Sequence, residues 1–261
     1  MELALRNKTA LITGGSKGLG YAAAVALVQE GARVVVCARH EDEVKQAVAR
    51  LNELSADSAI GVCTDISDPD NIKHLLDDVA QNYGSLDILV NNAGGAHPGT
   101  PETLTDQAFL ADFNIKVLSW QRMIKASLPL LRKSHQARII NISSVYAHTP
   151  DPAFFATSVL RAAGDNFTKT WAAALAKEGV LVNSINIGVI ETPQWENIRN
   201  KRAPEKSLDE FFADTVARDI PLGRIGQAAE LGSVVAFLAS SQSSYITGSS
   251  IDVAGGMGLR F

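Results

Sequence analysis

TALITGGSKGLGYAAAVALVQEG, residues 9–31, is the stretch that decides the fold. A β-branched apolar run passes through the glycine-rich turn 13–20 directly into a run whose apolar residues have helical spacing. Glycines permit a tight turn and a close approach of the backbone to a ligand, and the start of a helix presents unpaired N–H groups to phosphate. A glycine-rich turn placed between a first strand and a helix therefore predicts a dinucleotide site.

Six further strand-like runs follow, and longer segments with helical patterning separate them. The seven runs are KTALITG (8–14), ARVVVCA (32–38), AIGVCTD (59–65), LDILVNN (86–92), ARIINIS (137–143), VLVNSIN (180–186) and SSIDVAG (249–255). Several are apolar on both faces, as is typical of parallel strands covered by helices. The alternation predicts an α/β fold, a Rossmann-like doubly wound seven-stranded parallel sheet with helices on both faces. Ligands of such sheets bind beyond the carboxyl ends of the strands.

The composition favours one large domain, residues 1–261. The chain is 46% hydrophobic and 20% charged, which is enough to bury a large core. The segment 190–220 is polar with interspersed aromatic residues and breaks the rhythm of strands and helices. We interpret it as a mobile flap over the site, and a surface excursion without function is the alternative.

Charge and hydropathy exclude several classes of function. The formal net charge is −4, and Lys and Arg are scattered along the chain, so nucleic acid is not an expected partner. No apolar run approaches the roughly 20 residues of a membrane-spanning helix. The N-terminus lacks the pattern of a secretory signal. The histidines and cysteines show no zinc-type spacing, and we expect no metal site.

The two cysteines lie inside apolar strand-like runs. We expect Cys37 and Cys63 to be buried reduced thiols rather than a disulfide. The sequence therefore predicts a cytoplasmic protein.

The end of the second strand-like run bears on the choice of cofactor. It reads Cys37-Ala38-Arg39-His40 and lacks the acidic residue that would accept hydrogen bonds from ribose hydroxyls. Arg39 can instead face a 2′-phosphate, and Lys17 in the neighbouring loop can join it. This pattern favours NADP(H) over NAD(H), although Arg39 could also be a solvated residue at a strand end.

With these motifs the chain resembles the short-chain dehydrogenase/reductase family over nearly its whole length. The family's TGxxxGxG turn is met by residues 13–20, its NNAG signature by residues 91–94, and its Asp after strand three by Asp65-Ile66. Asn114 matches the position of the asparagine in the family's fourth helix, and Ser144 matches the position of its active-site serine. The C-terminal part, PLGRIGQAAELGSVVAFLAS (221–240) and YITGSSIDVAGG (245–256), is similar throughout.

Two departures lie beside the cofactor residues that the resemblance implies. The family's Pro-Gly dipeptide is Ile187-Gly188 here, and the Asp of its closing motif is Ala254, whereas Thr192 keeps the threonine that touches the nicotinamide carboxamide. The residues predicted to bind the cofactor are Gly14, Ser16, Lys17, Gly18, Leu19, Gly20, Arg39, Asp65, Ile66, Asn91, Ala93, Gly94, Arg161, Gly188, Ile190 and Thr192.

The third departure concerns the family's reactive tyrosine and lysine. The tyrosine lies thirteen residues after the serine, and counting from Ser144 gives Thr157. The pair Phe167-Thr168, which in the family lies ten residues after the tyrosine, gives the same position. The lysine position is then Arg161, one helical turn later and on the same face.

These substitutions change the chemistry that we expect. A tyrosine next to a lysine can protonate an alkoxide, whereas the threonine hydroxyl is a far weaker acid that can only donate a hydrogen bond or relay a proton. Arg161 supplies positive charge but does not readily release a proton. Tyr146 is a candidate replacement acid, or else lines the pocket under the flap. His148 is a second candidate, or else an exposed loop residue.

By the resemblance, Asn114 holds a water in a proton relay, whereas alone on a helix it would be a kink or a surface residue. By the resemblance, Ser144 orients the substrate, and the alternative is that it only caps the chain at the end of a strand. The predicted catalytic set is Asn114, Ser144, Thr157, Arg161 and Tyr146. Two functions remain open at this point. One is an NADP(H)-dependent oxidoreductase that interconverts a carbonyl and an alcohol on a small apolar substrate, with an atypical proton donor. The other is a catalytically impaired dinucleotide binder with a regulatory or structural role.

Family resemblance also implies a homo-oligomer, either a homotetramer or a dimer. The amphipathic helical segments around 106–133 and 153–178 are its candidate interfaces.

Overall fold

The structure is a computed structural model, and it describes residues 2–259. Met1, Arg260 and Phe261 lie outside the described residues, and so do both limits of the predicted domain 1–261.

Seven strands form one parallel sheet, as predicted. They are β1 (Thr9–Thr13), β2 (Arg33–Ala38), β3 (Ala59–Cys63), β4 (Ile88–Asn91), β5 (Arg138–Ser144), β6 (Leu181–Ile187) and β7 (Ser250–Val253). Their order across the sheet is β3-β2-β1-β4-β5-β6-β7. The chain reverses its direction of winding between β1 and β4, and a crevice for a ligand opens at such a point beyond the carboxyl ends of the strands.

Nine α-helices connect and cover the strands within residues 2–259. They are α1 (Gly18–Gln29), α2 (Glu41–Leu54), α3 (Pro69–Tyr83), α4 (Asp106–Phe113), α5 (Ser119–Leu131), α6 (Phe155–Leu175), α7 (Gln194–Arg202), α8 (Leu208–Asp219) and α9 (Ala228–Ala239). A π-helical turn, Asn114–Leu118, joins α4 to α5.

The strands at the centre of the sheet, β1 and β4, are buried on both faces because each face packs against its own layer of helices. Side chains alternate along a strand. Ile12 of β1 therefore lies in the apolar cluster formed with α1 and α9, whereas its neighbour Leu11 lies in the cluster formed with α3 and α5. The predicted layer arrangement, with helices on both faces, is confirmed.

The segment predicted to be a flap, 190–220, is mostly helical. It contains α7 and α8, which pack through Trp195 and Phe212 into an apolar cluster with Phe154. A capping box at Ser207 and Glu210 fixes the start of α8. The segment is therefore a packed helical pair, and its mobility stays a prediction.

The two cysteines differ in burial. Both are free thiols; Cys37 is buried, and its burial raises its pKa to about 12. The expectation that Cys63 is buried is wrong. It is the last residue of the edge strand β3, so no further strand covers it, and its side chain is exposed.

The helices and the potential ligand side chains of residues 2–259 bear on the expectations about membranes and metals. None of the helices there has the length and apolar character needed to cross a membrane. No group of three or more His, Cys, Asp or Glu side chains there is placed to hold a metal ion.

Candidate active site

A cavity of about 680 Å³ runs along the carboxyl ends of the strands. At one end lies the turn that leads into α1, with Lys17 and Arg39 beside it; we call this the phosphate end. At the other end lie Ser144, Thr157 and Arg161, which we call the reactive end. One continuous space therefore joins the two predicted sites.

Hydrogen bonds and glycines shape the turn at the phosphate end. Gly14 and Gly18 have φ angles of 65° and 56°, in the left-handed region that glycine adopts readily. The backbone N–H of Gly14 donates to the carbonyl oxygen of Cys37 at 2.8 Å. The side-chain amide of Asn92 donates to the carbonyl oxygens of Thr13 at 2.9 Å and Gly14 at 3.1 Å, which ties the turn to the end of β4.

Most of the residues predicted to bind the cofactor line the cavity. They are Gly14, Ser16, Lys17, Gly18, Leu19, Arg39, Asp65, Ile66, Ala93, Gly94, Arg161, Gly188 and Thr192.

Three others, Gly20, Asn91 and Ile190, stand behind the cavity wall. A Cβ atom at Gly20 would lie 2.2 Å from the carbonyl oxygen of Gly14, so this glycine lets α1 approach the turn. The amide of Asn91 donates to Asn141 in the neighbouring strand at 2.8 Å. Ile190 is buried and bridges to Gly226. These three residues support the wall rather than form it.

Charges of both signs meet at the phosphate end. Arg39 is exposed on the cavity wall. Lys17 is paired with Glu43 at 2.8 Å, and the same carboxylate accepts from Ser16. Burial opposes ionisation of Asp65, but its hydrogen bonds from Ser67 and the charge of Arg39 give it a net pKa below the usual value. A 2′-phosphate bound here could form an ion pair with Arg39 directly, but it would have to compete with Glu43 for an ion pair with Lys17.

The nicotinamide half of a dinucleotide also fits the residues present. The Arg161 Nη1 and Thr192 Oγ1 atoms are buried without a hydrogen-bond partner among residues 2–259, and both residues belong to the cavity wall. A Cβ atom at Gly94 would lie 3.5 Å from Arg161 Nη2, so glycine there keeps the space beside the guanidinium open. Unpartnered donors in such a place suit the hydroxyl and amide groups of a bound nucleotide.

The first two turns of α6 supply Thr157 and Arg161 to the reactive end. They lie four residues apart on one face of the helix and are 5% and 7% exposed. The guanidinium of Arg161 lies over the Trp120 ring at 5.2 Å. Gly164 makes this packing possible, because a Cβ atom there would approach Trp120 to 3.0 Å. Burial lowers the pKa of Arg161 to about 10, although the negative charges of Asp112 and Asp165 act to raise it.

A lysine that the sequence analysis did not single out lies behind Thr157. Lys116 Nζ donates to Thr157 Oγ1 at 3.0 Å and to Asp112 Oδ2 at 2.7 Å, and its side chain is fully buried. Asp112 Oδ1 lies 2.6 Å from His97 Nδ1. Burial, and then the charge of Arg161, lower the pKa of Lys116 to about 8, although Asp112 opposes the shift. The sequence feature that could have indicated this pair is the spacing of Asp112 and Lys116, because an acidic and a basic residue four apart face each other on a helix.

Asn114 lines the cavity but has a protein partner for its side chain. Arg122 Nη1 donates to Asn114 Oδ1 at 2.7 Å and also to the carbonyl oxygen of Ser67 at 2.7 Å. The backbone carbonyl of Asn114 accepts from the N–H of Ser119, five residues later, which is the hydrogen-bond register of a π-helix. Its predicted role of holding a water stays a prediction.

Ser144 and the two candidate replacement acids lie on the chain that leaves β5. Ser144 lines the cavity, and its hydroxyl oxygen accepts from the Tyr146 N–H at 3.3 Å. Tyr146 also lines the cavity and stacks on Phe154 at 5.4 Å, and burial raises its pKa. His148 lies 3.2 Å from Asp252. The raised pKa makes Tyr146 a poorer acid than an ordinary tyrosine.

Comparisons with known proteins agree with this architecture. The family model described as enoyl-(acyl carrier protein) reductase matches residues 14–258. The chain is 32% identical to a 3-oxoacyl-(acyl-carrier-protein) reductase of Thermotoga maritima over 253 residues, 97% of this chain and 98% of that one.

Two solved structures are similar to the whole chain. The L-sorbose reductase of Gluconobacter frateurii, in complex with NADPH and L-sorbose, has a TM-score of 0.96 and 29% identity, with 100% of both chains covered. An NADPH-bound short-chain oxidoreductase of Pseudomonas aeruginosa PAO1, described as containing an atypical catalytic center, has a TM-score of 0.90 and 32% identity. That likeness covers 98% of this chain and 100% of the other.

Proposed function

The chain belongs to the short-chain dehydrogenase/reductase family, and we propose that it acts as an NADP(H)-dependent oxidoreductase with an atypical proton donor. Its reaction interconverts a carbonyl and an alcohol on a small apolar substrate. The single observation that carries this proposal is the continuous cavity, which joins a glycine turn suited to pyrophosphate with a wall that holds Ser144 and Thr157.

The reaction needs a hydride on carbon and a proton on oxygen. A reduced nicotinamide supplies the hydride when it is bound. Ser144 and Thr157 both line the cavity and are neutral hydroxyl donors, so they can orient the substrate oxygen by hydrogen bonds. Arg161 lies one turn from Thr157 and adds a fixed positive charge that stabilises negative charge developing on that oxygen.

The preference for NADP(H) over NAD(H) rests on Arg39. It is an exposed cation on the wall of the phosphate end, and no carboxylate follows β2 directly to accept from ribose hydroxyls. The NADPH-bound state of the Gluconobacter and Pseudomonas structures is consistent with this preference.

The apolar character of the substrate is inferred from the wall that faces the reactive end. Tyr146, Phe154, Val189, Trp195 and Met257 line the cavity there, and the apolar cluster around α7 and α8 supports them. Such a wall favours an apolar group on the substrate next to its carbonyl.

The alternative function is that of a dinucleotide-binding homologue that is catalytically impaired and serves a regulatory or structural role. The sequence favours it through Thr157 and Arg161, which we predict to stand at the positions of the family's tyrosine and lysine. Loss of a general acid commonly costs about 10²–10⁴-fold in rate. The cofactor cleft would survive this loss, because its glycine turn does not depend on either residue.

The experiment that separates these functions measures binding and turnover together. NADPH is titrated by fluorescence, and its oxidation is followed with L-sorbose, a 3-oxoacyl thioester, cyclohexanone and benzaldehyde. We expect at least one carbonyl to be reduced above the solvent rate. Ser144→Ala is the matched variant, and it is expected to lose turnover about tenfold or more while NADPH affinity is unchanged. NADPH binding without oxidation by any carbonyl would favour the alternative.

Location and assembly are further parts of the proposal. The two free thiols are consistent with the reducing environment of the cytoplasm. A homotetramer or dimer is proposed from family membership, with α4 to α6 as its interface. Sedimentation velocity of the purified protein tests the assembly, and a monomer at micromolar concentration would contradict it.

A further inference from the structure

Lys116 is an unusual residue to find in the interior. Its side chain is fully buried in the π-helical turn between α4 and α5. A lysine is almost never fully buried unless a partner or a function compensates for the loss of its hydration. A purely structural ion pair with Asp112 would account for one of its hydrogen bonds but not for its contact with a hydroxyl of the cavity wall.

The hydrogen bond from Lys116 determines what Thr157 can do. Thr157 Oγ1 accepts from Lys116 Nζ at 3.0 Å, so its own proton points to a different acceptor. Within residues 2–259 the Thr157 hydroxyl donates to no protein atom, and the residue lines the cavity. A substrate oxygen in the cavity is therefore the natural acceptor of that proton.

Asp112 connects the buried lysine to the surface. Its Oδ2 accepts from Lys116 at 2.7 Å, and its Oδ1 lies 2.6 Å from His97 Nδ1. The Asp112 side chain is 4% exposed, whereas that of His97 is 58% exposed. These contacts form a continuous chain of hydrogen bonds from solvent through His97 and Asp112 to Lys116, and from there to the cavity.

The surrounding charges hold Lys116 close to the point where it can lose a proton. Three titratable groups face it: Asp112 from α4, Arg161 from α6 and, through Asp112, His97 from the loop after β4. Burial and Arg161 lower the pKa of Lys116 to about 8. Burial opposes ionisation of Asp112, but hydrogen bonds from His97 and Lys116 outweigh it, so its pKa is lowered. A group that titrates near neutral pH is well matched to proton transfer.

We propose that Lys116 supplies the proton for carbonyl reduction through the hydroxyl of Thr157, and that Asp112 and His97 return a proton to it from solvent. The inference rests on the proposed function and names the proton source that the function requires. Because Lys116 acts through Thr157, it is a relay residue, and Thr157 is the group that touches the substrate.

The step balances in atoms and electrons. As the carbonyl carbon accepts a hydride from the reduced nicotinamide dinucleotide, the carbonyl oxygen takes the proton of Thr157 Oγ1. Thr157 takes a proton from Lys116, which becomes a neutral amine. Lys116 regains a proton that passes from water through His97 and Asp112. The net change converts the carbonyl, the reduced nicotinamide and one solvent proton into the alcohol and the oxidised nicotinamide.

The first test changes Lys116 and follows the pH dependence. In the wild type we expect the rate of reduction to fall as pH rises through about 8, because the protonated lysine is the form that gives the proton. Oxidation of the alcohol should show the opposite sign and rise over the same range. Lys116→Met should lower the rate of reduction about 100-fold and abolish its fall with rising pH. Its NADPH affinity should stay within about twofold of the wild-type affinity.

Two controls keep this test decisive. Lys73→Met removes an exposed lysine of α3, a helix outside the proposed interface, and should leave both the rate and the pH profile unchanged. If Lys116→Met does not fold, because Asp112 is left buried without its cation, the double variant Lys116→Met/Asp112→Asn removes both charges and is expected to show the same loss. The rate of each variant is measured with one carbonyl substrate. This is whichever of L-sorbose, the 3-oxoacyl thioester, cyclohexanone and benzaldehyde the wild type reduces fastest.

A second readout does not need turnover. Lysine labelled with ¹³C at Cε is incorporated, and its NMR signals are titrated in the ligand-free protein. We expect the signal that is missing from the Lys116→Met spectrum to titrate near pH 8, well below the reference value of about 10.4 for lysine in model peptides. Titration of that signal at or above the reference value would overturn the relay.

Thr157 provides a matched pair of variants. Thr157→Ser keeps the hydroxyl and should retain the rate of reduction within about threefold, whereas Thr157→Val keeps the shape and should lose about 100-fold. Equal rates in the two variants would overturn the relay. Absence of turnover in the wild type would overturn the proposed function itself, whereas turnover that survives unchanged in Lys116→Met would overturn only the relay.

Discussion

The phosphate end and the reactive end of the cavity are built in different ways. Glycines shape the phosphate end in one short turn, and the hydrogen bond from the Gly14 N–H to the Cys37 carbonyl oxygen ties that turn to β2. At the reactive end, Lys116, Asp112 and Thr157 come from two separate helical segments and meet only through their side chains. A backbone site tolerates few changes, whereas a side-chain network can exchange its proton donor while the fold stays the same.

This difference implies that the two ends can be damaged separately. A change at the phosphate end should appear in cofactor affinity, and a change at the reactive end should appear in turnover and in its pH dependence.

The largest expected effect is at the glycine turn. Gly20→Ala places a Cβ atom 2.2 Å from the carbonyl oxygen of Gly14, so the turn has to move. We expect NADPH affinity, measured by fluorescence titration, to fall about 100-fold or more, equivalent to about 3 kcal/mol. Gly84→Ala is the control. It has a φ of 74° and nothing within 4 Å of the added atom, so it should cost about 1 kcal/mol of stability and no affinity. Ordinary NADPH affinity in Gly20→Ala would contradict the backbone account of this end.

The next effect should be a gain of activity at the reactive end. The double variant Thr157→Tyr/Arg161→Lys places the family's phenol and amine on the face of α6 that lines the cavity. Because a phenol is a far stronger acid than an aliphatic hydroxyl, we expect kcat/KM for carbonyl reduction to rise about tenfold or more. Thr157→Phe/Arg161→Lys has the same shape without the phenol and should show no gain. No change in the tyrosine variant, with NADPH binding intact, would mean that Thr157 is not the tyrosine position.

A smaller effect is expected from the charges of the phosphate end. Arg39→Ala should weaken NADPH about tenfold and NADH by less than about twofold, because only NADPH carries the 2′-phosphate. Glu43→Gln should act in the opposite direction and tighten NADPH about threefold, since it frees Lys17 from its carboxylate partner. Calorimetric titration with both cofactors measures the two changes. Equal losses of NADPH and NADH in Arg39→Ala would refute the contact with phosphate.

The smallest effect should come from Tyr146. Burial raises its pKa, and its ring stacks on Phe154. Tyr146→Phe removes only the hydroxyl, and we expect the rate of reduction to change by less than about threefold and the pH–rate profile to keep its shape. A lost or displaced limb of that profile would return Tyr146 to the role of proton donor.

The sheet could be predicted from the sequence because its signals are local. Each of the seven β-branched runs coincides with an observed strand, although β5 and β6 each continue one residue beyond the predicted run. The pair α7 and α8 in 190–220 was not predicted as helices. Their residues are mostly polar, and the aromatic contacts that hold them, such as Trp195 with Phe212, come from residues distant in the sequence.

The candidate site was predictable to the extent that it depends on consecutive residues. The glycine turn, Ser144, Thr157 and Arg161 were all found from motifs and counted spacings, and all lie on one cavity. Lys116 was missed. Its burial depends on the π-helical turn and on the packing of α6 against that turn. Neither the hydrogen-bond register of the turn nor the packing of the helices can be predicted from residues 114–118 alone.

The central claim is that Thr157 is the hydroxyl that meets the substrate. A crystal structure of the protein with NADP⁺ and the alcohol product of its best carbonyl tests it directly. We expect the alcohol oxygen to lie within hydrogen-bond distance, about 3.2 Å or less, of both Thr157 Oγ1 and Ser144 Oγ. An alcohol oxygen that contacts Tyr146 and lies beyond reach of Thr157 would contradict the account.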